Sequence, residues 1–247
     1  IPAFAESAQQ ALDFIRNTLW QQGRLMATHK DGKTHLNAYL DDYAYLIDAI
    51  LELLQYEWQN DNIDFACELA DVLLEQFEDK ENGGFFYTSN DHEQLIQRPK
   101  PYTDDAMPAG NAIAAYALQR LGYLVGKTDY LDAAERCLKA SGTSLEQHPY
   151  ACMSMLIAFE EHLFPVTTII IRGGATQLDK WTQHIRSQYQ PRIQVFAIPE
   201  TITELPEALR EKAPMEQTVA YICNGMTCSK PVFDMNEIPL TAEYQTR

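Results

Sequence analysis

Up to Pro165 the apolar positions describe two alternating kinds of helix. Residues 39–58 are apolar nearly all round, through Tyr39, Leu40, Tyr43, Ala44, Leu46, Ile47, Ile50, Leu51, Leu53 and Leu54. A helix without a polar face has to be buried on all sides. Residues 61–78 put Ile63, Ala66, Cys67, Ala70, Leu73, Leu74 and Phe77 on one stripe, with Asp64, Glu68, Asp71 and Glu75 elsewhere, so that helix buries one face only. The alternation continues. Residues 106–121 are small and apolar throughout, 129–140 interleave Asp132, Glu135, Arg136 and Lys139, and 149–163 are again apolar on most sides. With a first amphipathic helix over about 5–20, the pattern predicts three helical hairpins, an inner row wrapped by an outer one. The segments 21–38 and 79–104 read as long structureless loops, which in a compact domain are usually functional or disordered.

After Pro165 the pattern changes. Val166 to Ile171 is a β-branched run ending at Arg172-Gly173-Gly174, followed by a helical stretch (176–189), a second strand (193–198), a second helix (203–212) and a third strand (219–223). Continuous apolar strands separated by helices predict a βαβαβ unit with a parallel sheet. The expected organisation is therefore a mainly α chain in two domains: helical hairpins over 1–164 and a small α/β subdomain over 165–247.

One unit is used twice. Tyr39-Leu40-Asp41-Asp42 returns as Tyr102-Thr103-Asp104-Asp105, and in register Asp48-Ala49-Ile50 returns as Asn111-Ala112-Ile113. Repeats of this length mark stacked supersecondary units whose insertions gather on one face, so both acid pairs are expected on one rim, at the starts of the two inner helices. Aspartate at a helix start caps free N–H groups and suits the macrodipole. One acid per helix satisfies that; the pairs then either serve capping alone or leave the second acid for ligand binding or acid/base work. Asp41, Asp42, Asp104 and Asp105 are the candidate catalytic residues, with Asp42 and Asp105 as the pair whose separation could suit glycoside hydrolysis. Tyr39 and Tyr102 could stack on sugar rings or simply pack. His29, His35 and His92, in the long loops, could serve as bases near neutral pH or remain solvated.

Nineteen basic against 35 acidic residues give a formal charge of −16, which opposes a sequence-independent grip on nucleic acid or anionic lipid. No apolar run is long enough to span a membrane, the first residues do not read as a signal peptide, and no metal-ligand spacing such as Cys-x-x-Cys or His-x-x-x-His occurs. Neither a metal nor another cofactor is expected. Cys67, Cys137 and Cys152 lie in helical patterns, and Cys223 and Cys228 flank a probable turn. All five are expected as reduced thiols in a cytoplasmic setting, with a redox-active or metal-binding pair at Cys223 and Cys228 as the alternative.

The stretch from Gly23 to about Ala140 resembles the C-terminal part of the spermatogenesis-associated, thioredoxin-domain-containing proteins. The resemblance is carried by Leu40-Asp41-Asp42-Tyr43-Ala44, Asp79-Lys80-Glu81-Asn82-Gly83-Gly84-Phe85-Phe86, Arg98-Pro99-Lys100 and Asp104-Asp105. It extends to the tail through Ala220-Tyr221-Ile222-Cys223 and Thr227-Cys228-Ser229-Lys230-Pro231-Val232. It implies an α/α toroid similar to six-hairpin glycosidases and N-acylglucosamine 2-epimerases, of which three hairpins close half. It also implies a thioredoxin-like domain and further hairpins of the same protein as partners, outside this chain. Two functions follow as expectations. One is a carbohydrate-active enzyme, hydrolase or epimerase, acting on a sugar or sugar-derived molecule at the inner-helix mouth. The other is a non-catalytic binding or scaffold module for the thioredoxin-like domain.

Overall fold

The computed structural model describes residues 2–93 and 96–239. Helix α1 (Pro2–Phe14) continues into one π-helical turn (Ile15–Leu19), followed by strands β1 (Trp20–Gln21), β2 (Arg24–Lys30) and β3 (Lys33–Asn37). Then come α2 (Leu40–Tyr56), α3 (Asn60–Gln76), α4 (Gly110–Val125), α5 (Thr128–Ala140), the short α6 (Gly142–Gln147) and α7 (Met153–Leu163). The second part holds β4 (Thr167–Gly173), α8 (Ala175–Arg186), β5 (Ile193–Pro199), α9 (Glu207–Arg210), β6 (Val219–Asn224) and β7 (Thr227–Cys228).

Of the three helices the apolar pattern marks as inner, α2 and α4 lie at the centre of the packing and α7 at its border. α2 and α4 pack side by side and α4 carries α7 on its other flank, while α3 covers α2 and α5 covers α4. α4 is buried on nearly every side and stops at Gly126, whose φ of 76° gives the left-handed residue that closes a helix. α3 and α5 bury one face each. α7 is covered on one side only: Met155, Ala158 and Glu161 are buried, whereas Met153, Leu156, Ile157, Phe159 and Leu163 are exposed. At the other end of the chain Phe4 and Phe14 of α1 are exposed as well.

Five expectations are corrected. The segment 21–38 is a three-stranded antiparallel sheet in the order β1-β2-β3. Its hairpin turns at Asp31-Gly32, both with positive φ (52° and 72°), between the paired residues Lys30 and Lys33. Asp-Gly favours the two-residue turn whose twist matches the strands. Next, the inner helix expected at 106 starts at Gly110, because Met107 precedes a proline and is biased out of the helical region. The acids of the second copy therefore lie in the loop, five and six residues before the helix they were expected to open.

The third correction concerns the second sheet, which runs β5-β4-β6-β7 and is mixed: β4 pairs with β5 in parallel and with β6 antiparallel. Arg172 at the end of β4 accounts for this. Its buried guanidinium donates to the carbonyls of Ile202 (2.7 Å), Lys212 (3.3 Å) and Pro199 (3.4 Å). The connection is thus held at the exit end of β4, and β6 starts there, opposite Arg172, running back. The helix expected over 203–212 shrinks to the four residues of α9. Finally, Cys223 and Cys228, expected as free thiols, face each other across β6 and β7 and form a disulfide.

The main hydrophobic core does not stop at Pro165. It runs from Leu40, Ile47 and Leu118 through Ile170, Phe196, Ile198 and Tyr221, and Trp58 meets Phe196 edge to face at 6.1 Å. The opposite sheet face closes a second core against α8, around Ile169, Ile171, Trp181 and Ile185. A shared core couples the two parts, so heat should unfold them in one transition. Far-UV circular dichroism and tryptophan fluorescence are expected to give coincident midpoints; two separated midpoints would show independent folding. Among the described residues no helix is long and apolar enough to cross a membrane.

Candidate functional site

The spacing of polar residues on α2 puts Asp41, Tyr45, Asp48 and Glu52 in one row, since positions three and four apart share a helix face. The neighbouring α4 presents Tyr116 and Arg120 to the same space, and α7 adds Glu161. These side chains meet. Arg120 holds Glu161 through two hydrogen bonds, Nε to Oε2 at 2.9 Å and Nη2 to Oε1 at 2.5 Å, and its Nη1 lies 3.6 Å from Glu52 Oε1. The guanidinium carbon sits 3.8 Å above the Tyr116 ring. Arg120 and Glu161 are both buried, at 7% and 6% exposure, while Glu52 reaches solvent.

Asp48 stands beside this group without sharing in it. Its Oδ1 is buried and makes no hydrogen bond. Burial pushes its carboxyl up to about 6, against the opposing attraction of Arg120 and with further upward pressure from the charges of Glu52 and Glu161. Four carboxyls and two phenols with one guanidinium, partly dry and reaching solvent at Glu52, form a polar face between three helices. A perturbed carboxyl in such a place is a functional candidate with a physical reason.

The expected site residues divide between roles. Asp42 is exposed and turns back on its own helix, accepting from Tyr39 N at 2.8 Å as a cap. Asp104 accepts from Ala109 N and Ser154 N, both at 2.9 Å, so one carboxylate ties the starts of α4 and α7 together. Asp105 is exposed. Asp41 is half-buried, its Oδ1 lying where a side chain on Gly110 would begin, 1.9 Å from the position of a Cβ. Burial first and the charge of Asp42 second raise its pKa. Asp41 belongs to the face described above, and its charge and those of Asp104 and Asp48 are all felt by Tyr45, whose hydroxyl donates to Pro108 O at 2.8 Å.

The two tyrosines part company. Tyr39 stacks on Tyr87 at 5.0 Å with His92 5.5 Å away, forming an aromatic rim whose Tyr87 is in turn raised in pKa by burial and by Asp41 and Asp42. Tyr102 points inward under Gly84, its hydroxyl buried without a partner. His29 and His35 lie on the exposed β2-β3 hairpin, where His29 Nδ1 meets Thr34 Oγ1 at 3.0 Å. The structure thus brings Asp41, Asp42, Tyr39 and His92 to one rim and leaves Tyr102, His29 and His35 elsewhere.

The motif Asp79 to Phe86 resolves into architecture. Asp79 Oδ1 accepts from Glu81 N and Asn82 N, its Oδ2 pairs with Lys100 at 2.6 Å, and Lys100 also donates to Gly83 O. The Lys100 hydrogen bond leads in holding the Asp79 carboxyl down to about 2. Arg98 and Lys100 both lie over the Phe86 ring. These contacts hold residues 79–86 and 98–100 together beside α4, with Asn111 bonding Phe85 N and O from the helix side; residues 94 and 95 of the expected long loop lie outside the described ones.

What sequence reasoning missed is the row on α2 with its partners on α4 and α7. The signal was present: Asp41, Tyr45, Asp48 and Glu52 are spaced by four, three and four in a helix whose other strongly polar residues are Asp42 and Gln55.

Among known proteins, no family model matches the chain. An uncharacterized protein of Caenorhabditis elegans is 23% identical over 95% of this chain and 34% of its own length. Spermatogenesis-associated protein 20 of human is 27% identical over 87% of the chain and 30% of its own length, and that of rat is 26% identical over 81% and 26%. The chain spans about a third or less of these relatives, and its described residues are mainly helical with a small mixed sheet; it is similar along most of its length to proteins named spermatogenesis-associated protein 20.

Proposed function

We propose that the chain is part of a longer protein of the spermatogenesis-associated kind and supplies a ligand-binding wall, the α2/α4/α7 face, for a neutral hydroxyl-rich molecule of carbohydrate type. The observation that carries this is Asp48. A carboxyl left half-dry with a free oxygen is costly, and a hydrogen bond from a bound sugar hydroxyl to the carboxyl would offset that cost. Asp41 and Tyr45 extend the same row of acceptors and donors toward the aromatic rim of Tyr39 and Tyr87, where a ring could stack. A carboxyl at about 6 also holds and releases a proton near neutral pH, so Asp48 is the group through which a hydrolase- or epimerase-like step would run. The exposed apolar side of α7 is where the rest of a longer protein would pack.

A second reading has its own support. Asp42 and Asp104 are occupied by backbone N–H groups, as a non-catalytic scaffold for a thioredoxin-like partner domain would have them. Thermal-shift measurements against neutral sugars, amino sugars and sugar phosphates separate the two. The binding reading expects a rise in melting temperature with neutral sugars that Asp48→Asn abolishes. No shift with any sugar, or an equal shift in Asp48→Asn, favours the scaffold.

A further inference from the structure

The pair Cys223–Cys228 differs from the other cysteines. Cys137 and Cys152 are buried thiols, and burial pushes the half-buried Cys67 up to about 11, which leaves little of the reactive thiolate. The disulfide, by contrast, lies at the sheet edge, on the terminal strand β7. Cys223 is 6% exposed. Cys228 is half-buried between exposed Thr227, Ser229 and Lys230, so an incoming thiolate can reach one sulfur only, close in sequence to a lysine charge.

The bond also joins residues that other contacts already hold together. Ser229 N donates to Ile222 O at 2.8 Å, Ala220 and Val232 exchange two backbone hydrogen bonds at 2.9 Å, and Asn224 Nδ2 ties the turn to Pro165 O at 3.2 Å. A bridge between residues five apart constrains the unfolded chain less than longer closures do. It is therefore a weak device for stability, placed where a thiol can find it.

We propose that Cys223–Cys228 is a thiol–disulfide exchange site that takes electrons from dithiols, with Cys228 Sγ the atom attacked. One thiolate of the dithiol bonds to Cys228 Sγ, the Sγ–Sγ bond breaks, and Cys223 departs as a thiolate that takes up a proton. The second thiolate of the dithiol then attacks its own sulfur partner in the mixed disulfide. That closes the reductant's disulfide and releases Cys228, which is protonated in turn. Two electrons and two protons pass from the dithiol to the cysteine pair, and the hairpin keeps its backbone ladder throughout. This inference is independent of the ligand wall.

The test treats the native protein with graded dithiothreitol, quenches with alkylating agent in denaturant, and reads mass and far-UV dichroism together. Full reduction of the pair with dichroism unchanged is the expected result. With glutathione in place of the dithiol, the trapped adduct is expected on Cys228. Finding the adduct on Cys223, reduction only after the fold is lost, or both thiols already free in the native protein overturns the proposal. A control variant, Cys223→Ser with Cys228→Ser, is expected to keep its melting temperature within a few degrees; loss of the fold would show a structural staple instead.

Discussion

Asp48→Asn is expected to make the protein more stable at pH 7, by about 3 kcal/mol, or a rise of about 6–12 °C in melting temperature for a chain of this size. The folded carboxyl is raised from 3.8 to about 6, mainly by burial. Below about pH 4 both the folded and the unfolded chain carry the proton and the group costs nothing. Between about 4 and 6 the unfolded chain has released it while the folded one retains it, so stability falls as pH rises. Above about 6 the full cost is present. The gain from asparagine should follow this course, small at pH 4 and complete by pH 7; the attraction of Arg120 is already contained in the value of about 6. Denaturant melts of both proteins across that range measure it directly. A variant less stable than the parent at pH 7 would mean that Asp48 is a structural partner, and the case for it as a ligand group would fall.

The helices were legible because their cause is local. The apolar stripe on 61–78 and the all-round apolar run on 39–58 are periodicities that hold in any context, and α3 and α2 lie within two residues of them. The first sheet has a local sign too, since Asp31-Gly32 is the strongest short-range signal of a hairpin, but β2 carries Thr28, His29 and Lys30 at its exposed end and reads as a polar loop. The direction of β6 had no local sign. It follows from Arg172 gathering three carbonyls from residues 27 to 40 positions away, a contact that periodicity does not contain.

The repeated Tyr-x-Asp-Asp misled for a related reason. Identical residues promise identical environments only if the helices begin at the same place, and Pro108 delays the second. Asp42 then caps its own helix, while Asp104 stays in the loop and reaches both Ala109 N and Ser154 N. Asp41 and Asp104 are similar in sequence and opposite in situation: the first lies against Gly110 with a free oxygen, the second is fully engaged by backbone. The charged row of α2 was hidden because its partners, Arg120 and Glu161, lie on helices 68 and 109 residues on from Glu52, and each alone reads as one polar position in a buried helix.

The largest loss is expected at Arg120. Arg120→Met removes the only cation among the described groups facing Glu161 and Asp48, and it leaves Glu161, whose side chain is 8% exposed, buried with an unpaired charge. Breaking a buried pair from one side costs about 3–5 kcal/mol, far more than an intact pair contributes, because the cost is the desolvation of the remaining ion. One feature identifies this origin. Pairing the change with Glu161→Leu should recover most of the loss, since an apolar contact of similar volume replaces both charges and α4 and α7 stay packed. Chemical denaturation of the single and double variants at pH 7.5 measures both. A deficit unrelieved by Glu161→Leu would place the role of Arg120 in its packing over Tyr116 and not in its charge.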